Sequence, residues 1–352
     1  MRYLLSLILL IAFLTNTNAQ SPYEYFNNED FWKNMIMESS EQPLPALAAS
    51  DTVIVIASSR NIQPGDVRFV GELRDGKTLR YYLMYARAGK WYIHPYASIV
   101  NAIRAVPDIN RDWVTYTEGM GKIFTSDADR GMQMSGQYGV NVLLLDYPSI
   151  RTTYKPLKNY KFALRNACIC YKDFMPVLDT VKMLRDQHKM GTGHLSLFFH
   201  SMGNNMIREI AKHDAVIRYN QSVWVDNIIL NAPCVPRKKH AKWVDKIHFG
   251  EHIYVHYNPE DGTLKWARIA GFRQIMGEHM KKPLSQQAIY INFEPLCGTE
   301  HSNFLNLYSR KPIKEAAYAH YRLLFHGETV DVHNRMLYAP SEYRRIGFQL
   351  MR

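Results

Sequence analysis

Leu195-Ser196-Leu197-Phe198-Phe199-His200-Ser201-Met202-Gly203-Asn204, followed by Asn205-Met206-Ile207-Arg208-Glu209-Ile210-Ala211-Lys212, is the stretch on which the fold turns. Up to His200 it is a run of Leu and Phe after the turn signal Gly191-Thr192-Gly193, the pattern of a short strand buried on both faces. Beyond Gly203, Met206, Ile207, Ile210 and Ala211 fall at helical spacing. A serine at the point where a buried strand becomes a helix has its hydroxyl lifted clear of the backbone. The following amide and the helix N-terminus then face any negative charge that develops there. Such a turn demands small residues, and Gly203 supplies one two places after Ser201.

The position two before the serine, usually glycine in such turns, is Phe199. Taken as a unit, His200-Ser201-Met202-Gly203-Asn204 resembles the nucleophile elbow of α/β-hydrolases. It is most similar to a bacterial group with a His-Ser-Met-Gly-Asn signature and poorly characterised substrates. The resemblance covers roughly residues 110 to 305 and leaves the front of the chain unexplained.

Working outward, the pattern is strand–helix alternation, which implies a mostly parallel sheet flanked by helices. Strands are expected at 113–117, 140–145, 195–200, 225–230, 252–257 and 288–293, the last of the series. Helices are expected at 99–105, 126–138, 161–187 (one long helix) and 316–324. The front, 51 to 110, reads as antiparallel β: strands at 52–57, 67–73, 79–86 and 91–94, with hairpin turns at Asp75-Gly76 and Ala88-Gly89. Residues 20–50 read as an extension with one short helix, and 51–352 as a single α/β-hydrolase-like domain.

Residues 1–19 read as a signal peptide. Met1-Arg2 is a basic start, Tyr3 to Leu14 an apolar stretch too short to span a bilayer, and Thr17-Asn18-Ala19 a cleavage site. The expected product is an exported protein, periplasmic or secreted, with no transmembrane segment. Export draws attention to the four cysteines. Cys168 and Cys170 are two apart in a helical stretch and poorly placed to pair. Cys234 and Cys297 each follow a strand, so they either bridge or remain buried thiols with the rest. The net charge of +11 is spread along the chain, dense only at Arg237-Lys238-Lys239-His240 and Lys281-Lys282. With no aromatic–basic interleaving, it suits solubility and attraction to anionic envelope surfaces rather than nucleic acid.

A serine hydroxyl needs a histidine to take its proton, and the histidine needs a carboxylate to hold its tautomer. In α/β-hydrolases the order along the chain is serine, acid, histidine. Asp261 stands just past the 252–257 strand, where the resembling group carries its aspartate followed shortly by a leucine, here Leu264. Glu260 is the alternative acid. His301 lies in the loop after the 288–293 strand, before a helical start, and fits both order and position better than His320, His326 or His333. One oxyanion donor is expected from the Met202 amide. The resemblance implies a second from the loop Glu118-Gly119-Met120-Gly121, through the amides of Gly119 and Met120, with Glu118 replacing the group's histidine.

Two rival motifs fail. Gly119-Met120-Gly121-Lys122 is not a phosphate loop, because Tyr116 and Ile123 stand where glycine and a hydroxyl residue are required. His248, His252 and His256 have ligand spacing for a helix, but their segment alternates as a strand with Ile253 and Val255 inward, so the histidines are expected to face solvent. The chain therefore reads as a cofactor-free, metal-free serine hydrolase acting on a small-molecule or lipid-like ester. The alternative is an inactive scaffolding or binding protein of the cell envelope on the same fold, to which Phe199 and Glu118 point.

Overall fold

The computed structural model describes residues 25–306 and 312–351. The expected signal peptide lies outside these residues. In chain order the strands are β1 (Met35–Met37), β2 (Val53–Ser58), β3 (Arg60–Ile62), β4 (Val70–Arg74), β5 (Arg80–Arg87), β6 (Lys90–Tyr96), β7 (Trp113–Thr117), β8 (Asn141–Asp146), β9 (Leu195–His200), β10 (Val225–Asn231), β11 (Gly250–Tyr257), β12 (Ala288–Asn292), β13 (Tyr338–Pro340) and β14 (Phe348–Leu350). The helices are α1 (Glu29–Lys33), α2 (Ile99–Arg104), α3 (Phe124–Tyr138), α4 (Pro156–Ile169), α5 (Tyr171–Asp186), α6 (Asn204–Lys212), α7 (Ala215–Tyr219), α8 (Ala241–Val244), α9 (Gly262–Gly271), α10 (Glu294–Cys297) and α11 (Glu315–Phe325).

One sheet runs β1-β6-β5-β2-β8-β7-β9-β10-β11-β12-β14-β13, and β3 pairs with β4 in a small antiparallel sheet. From β2 through β14 neighbouring strands are parallel. β5 and β6 turn antiparallel beside β2, and β13 beside β14. β5 and β6 of the expected antiparallel front thus continue the central sheet, whereas β4 pairs with β3 in the separate one. β9 sits in the middle, paired with β7 on one side and β10 on the other.

The apolar run in β9 has a direct cause. Leu195, Leu197 and Phe199 belong to the core on one face of the sheet, and Phe198 to the core on the other. The first core takes Ala163 from α4, Phe174 and Val177 from α5, and Met206 and Ile207 from α6. The second takes Ala128 and Met132 from α3, and Ala317, Tyr321 and Leu324 from α11. A parallel strand covered on both faces has no polar side to show, so its sequence does not alternate.

Four expectations are corrected. The single helix 161–187 is two, α4 and α5, meeting at Cys170. Pro176, which has no N–H for the Lys172 carbonyl, lies within α5. The strand at 288–293 is not the last, because β13 and β14 extend the edge. The extension contributes a strand, β1, as well as the short helix α1. His256 is buried rather than solvent-facing, because α11 covers that face of β11; His248 is exposed and His252 partly so. The four cysteines are free thiols.

Candidate active site

The serine turn is a strained one. β9 ends at His200, and Ser201 opens a single 3₁₀ turn with φ of +52°, a left-handed conformation that side-chain-bearing residues avoid. Two glycines make the space. A Cβ on Gly203 would lie 2.6 Å from the Glu118 carbonyl oxygen and 2.8 Å from that of Thr117, so α6 starts hard against the end of β7. A Cβ on Gly119 would lie 2.6 Å from the Ser201 Cβ and 3.3 Å from the Met202 amide nitrogen. The loop after β7 therefore touches the serine turn, as the sequence led us to expect.

Two amides that the sequence reading passed over pin the turn. Asn204 Nδ2 lies 2.9, 3.0 and 3.1 Å from the carbonyls of Phe199, Ser201 and Asn231. Asn205 Nδ2 donates to the carbonyls of Met202 and Cys234. The Cys234 amide in turn donates to the Ser201 carbonyl at 2.9 Å. Their signal was available in the Asn204-Asn205 pair directly after Gly203: buried amides are retained where carbonyls need donors. Phe199 is buried, and its sheet neighbours are Thr117 on β7 and Leu230 on β10.

Asp261 and His301, forty residues apart, meet. Asp261 Oδ2 lies 2.6 Å from His301 Nδ1, and Oδ1 accepts the Leu264 amide at 2.9 Å as the N-cap of α9. One carboxylate oxygen is thus fixed by the helix and the other faces the imidazole. Glu260 points away, exposed and paired with Lys265 at 2.6 Å. The His301 ring lies 4.6 Å, centroid to centroid, from the ring of His200, the residue before the serine. Ser201 Oγ makes no hydrogen bond among the described residues. A cavity of about 580 Å³ lined by Glu294, Cys297, Gly298, Glu300 and Lys314 borders the His301 loop without including Ser201, which is 6% exposed.

Glu118 acquires a role that the sequence left open. Its buried carboxylate accepts the Gly119 amide at 2.7 Å, contacts Tyr116 Oη and Arg130 Nε, and lies 3.6 Å from His200 Nε2. Burial works to raise this carboxyl, but Arg130, His200 and Lys122 outweigh it and hold the group below the ordinary carboxylate range. The expectation that Gly119 offers its amide to an oxyanion is therefore corrected: a charged acceptor one residue back already occupies it. The Met120 amide has no acceptor among the described residues.

A chain of buried polar groups leads from His200 into the sheet. Asn231 Nδ2 donates to His200 Nδ1 at 2.9 Å, and Asn231 Oδ1 accepts from His256 Nδ1 at 3.0 Å. His256 Nε2 meets His320 Nε2 at 3.0 Å, and His320 Nδ1 meets Tyr338 Oη at 2.7 Å. Each link fixes the next tautomer, so His200 carries its proton on Nε2, toward Ser302 Oγ at 3.3 Å and Glu118. Burial lowers the basicity of His200, His256 and His320, the last to about 3. His326 is elsewhere, bonded to Asp112 at 2.6 Å.

No family model matches the chain, and no curated protein matches it. Among solved structures it is similar to a serine-to-alanine variant of LAE6, an alpha/beta hydrolase enzyme from the metagenome of Lake Arreo, Spain. That alignment has 11% identity over 86% of this chain and 90% of the other, with a TM-score of 0.35. It is also similar to an IroE-like serine hydrolase from Shewanella oneidensis, with 12% identity over 74% and 80% of the two chains and a TM-score of 0.31.

Proposed function

We propose that the chain is an exported serine hydrolase that cleaves a carboxylic ester, with Ser201 as nucleophile, His301 as base and Asp261 as its orienter. The observation that carries this reading is the 2.6 Å contact between Asp261 and His301 Nδ1, with the His301 ring 4.6 Å from that of His200, the residue before a serine held at positive φ. With Nδ1 bonded to the carboxylate, His301 Nε2 is the nitrogen left to take the Ser201 proton as Oγ attacks the ester carbonyl. The same nitrogen returns the proton to the departing alkoxide, and water then releases the acyl group by the reverse sequence. The oxyanion falls to the amides of Met202 and Met120, since Glu118 holds that of Gly119. Catalytic hydrogen bonds of this kind often tighten only in the substrate complex.

The second reading, an inactive scaffold, is favoured by the same two facts: the unbonded Ser201 Oγ and the occupied Gly119 amide. A fluorophosphonate probe separates the two. Labelling of the wild type and not of Ser201→Ala supports the hydrolase; labelling of neither supports the scaffold, and equal labelling of both removes Ser201 from the reaction.

A further inference from the structure

α4 and α9 pack side by side, with Tyr160 and Trp266 in edge contact at 5.9 Å. α9 has two apolar sides. Leu264 and Ala267 face the core, whereas Trp266, Ile269 and Phe272, spaced three apart, are 39%, 64% and 93% exposed. Leu157 on α4, three residues before Tyr160, is 48% exposed. Phe272 closes α9 in the left-handed conformation, φ +47° and ψ +37°, where glycine is the default. A large apolar ring thus sits in a strained position with almost none of it covered.

The two segments that bear this patch carry one sign of charge. Residues 149–170 contain Arg151, Lys155, Lys158, Lys161 and Arg165 and no Asp or Glu; residues 262–277 contain Lys265, Arg268 and Arg273 and likewise none. Lys265 and Arg268 are paired with Glu260 and Glu278 from neighbouring segments. Lys155, Lys158, Lys161 and Arg165 are exposed and have no carboxylate partner among the described residues.

We propose that this α4–α9 face docks the protein onto an anionic lipid bilayer. Exposed Trp, Phe, Ile and Leu among lysines and arginines is the composition of a surface that inserts shallowly at the headgroup boundary. The cations meet lipid phosphates, and the apolar side chains enter the acyl region. A second copy of the chain is a poor occupant, because a symmetric contact would bring two cation-rich, carboxylate-free segments against each other. Asp261 caps the N-terminus of α9, so the docked helix carries the carboxylate that holds His301. The proposal does not depend on the hydrolase reading.

The test is co-sedimentation of the purified protein with vesicles of phosphatidylcholine alone and of phosphatidylcholine mixed with phosphatidylglycerol. The wild type should bind the mixed vesicles, more weakly as salt rises, and the neutral ones at least tenfold less. Ile269→Ser with Phe272→Ser should abolish most of that binding. Lys155→Glu and Lys158→Glu should each weaken it by roughly fivefold or more. All four sites are exposed, so circular dichroism and fluorophosphonate labelling should match the wild type. Absence of binding to the mixed vesicles, or variants that bind as well as the wild type, would overturn the proposal. So would dimerisation of the wild type in sedimentation velocity that the Ile269→Ser, Phe272→Ser variant loses, which assigns the face to a second copy.

Discussion

At the scale of the residue, Asp261 does two jobs with two oxygens, and substitutions separate them. Asn at 261 keeps an acceptor for the Leu264 amide but removes the charge that holds the His301 tautomer. Asp261→Asn should therefore melt near the wild-type temperature while ester turnover falls steeply, by up to ~10⁴-fold. Asp261→Ala should lose the same activity and, in addition, about 1 kcal/mol of stability as α9 loses its cap. Paired kcat and urea measurements on the two variants check this. Equal stability of both would show that the cap contributes nothing, and undiminished kcat in Asp261→Asn would remove it from the mechanism. Phe199 shows what the sequence alone could not weigh: the ring where glycine is usual is fully buried in the core on that face of the sheet, and Ser201 keeps its positive φ.

At the scale of elements, Glu118 ties three together: the loop after β7, α3 through Arg130, and the end of β9 through His200. Both members of the Glu118–Arg130 pair are buried, and the Arg130 guanidinium also lies 5.3 Å from the Phe304 ring centroid. Removing one charge of a buried pair leaves the other without compensation, which costs about 3–5 kcal/mol. Glu118→Gln should show that loss in denaturant unfolding. The double variant Glu118→Gln, Arg130→Met should recover most of it, because with both charges removed neither is left buried without compensation. A double variant no more stable than the single one would mean that the charge pair is not what Glu118 supplies.

At the scale of the whole molecule, three neutral histidines are enclosed in the fold. His200, His256 and His320 are less basic folded than unfolded, chiefly through burial. Between the two pKa values the unfolded chain binds more protons, so stability rises with pH. Each contribution is fully present above about pH 6.5 and is lost as pH falls through the lowered value, which for His320 is about 3, at up to ~1.4 kcal/mol per pH unit for each histidine. His326 has the opposite sign: its hydrogen bond to Asp112 raises it, so its contribution is present below about pH 6.5 and fades as pH climbs through the raised value. Urea midpoints should peak near neutrality and drop steeply between about pH 6.5 and pH 5. In His320→Gln that acid limb should be shallower; an unchanged slope would show that the buried histidines do not set it.

How much of this was legible in the chain depends on the range of the interaction. The β9–Ser201–α6 segment could be read from its residues because an unbroken apolar run, a small residue at the turn and a helical spacing are local features with local causes. The order of Ser201, Asp261 and His301, each after a strand, was legible because a parallel sheet puts every strand's C-terminal end on one edge. The choice of Asp261 over Glu260 was not settled by spacing, since adjacent residues differ by a rotation that only the cap of α9 fixes. Nor could spacing show that Glu118 would occupy the Gly119 amide, because Arg130, which anchors that carboxylate, comes from a different element. The burial of His256 was hidden for the same reason: alternation marks a strand's faces, but only the packing of α11 determines that the His256 end of β11 is enclosed while Glu251 at its start stays exposed. Local sequence specified the elements and the turn, and contacts between residues distant in the chain decided which polar groups are paired, charged and enclosed.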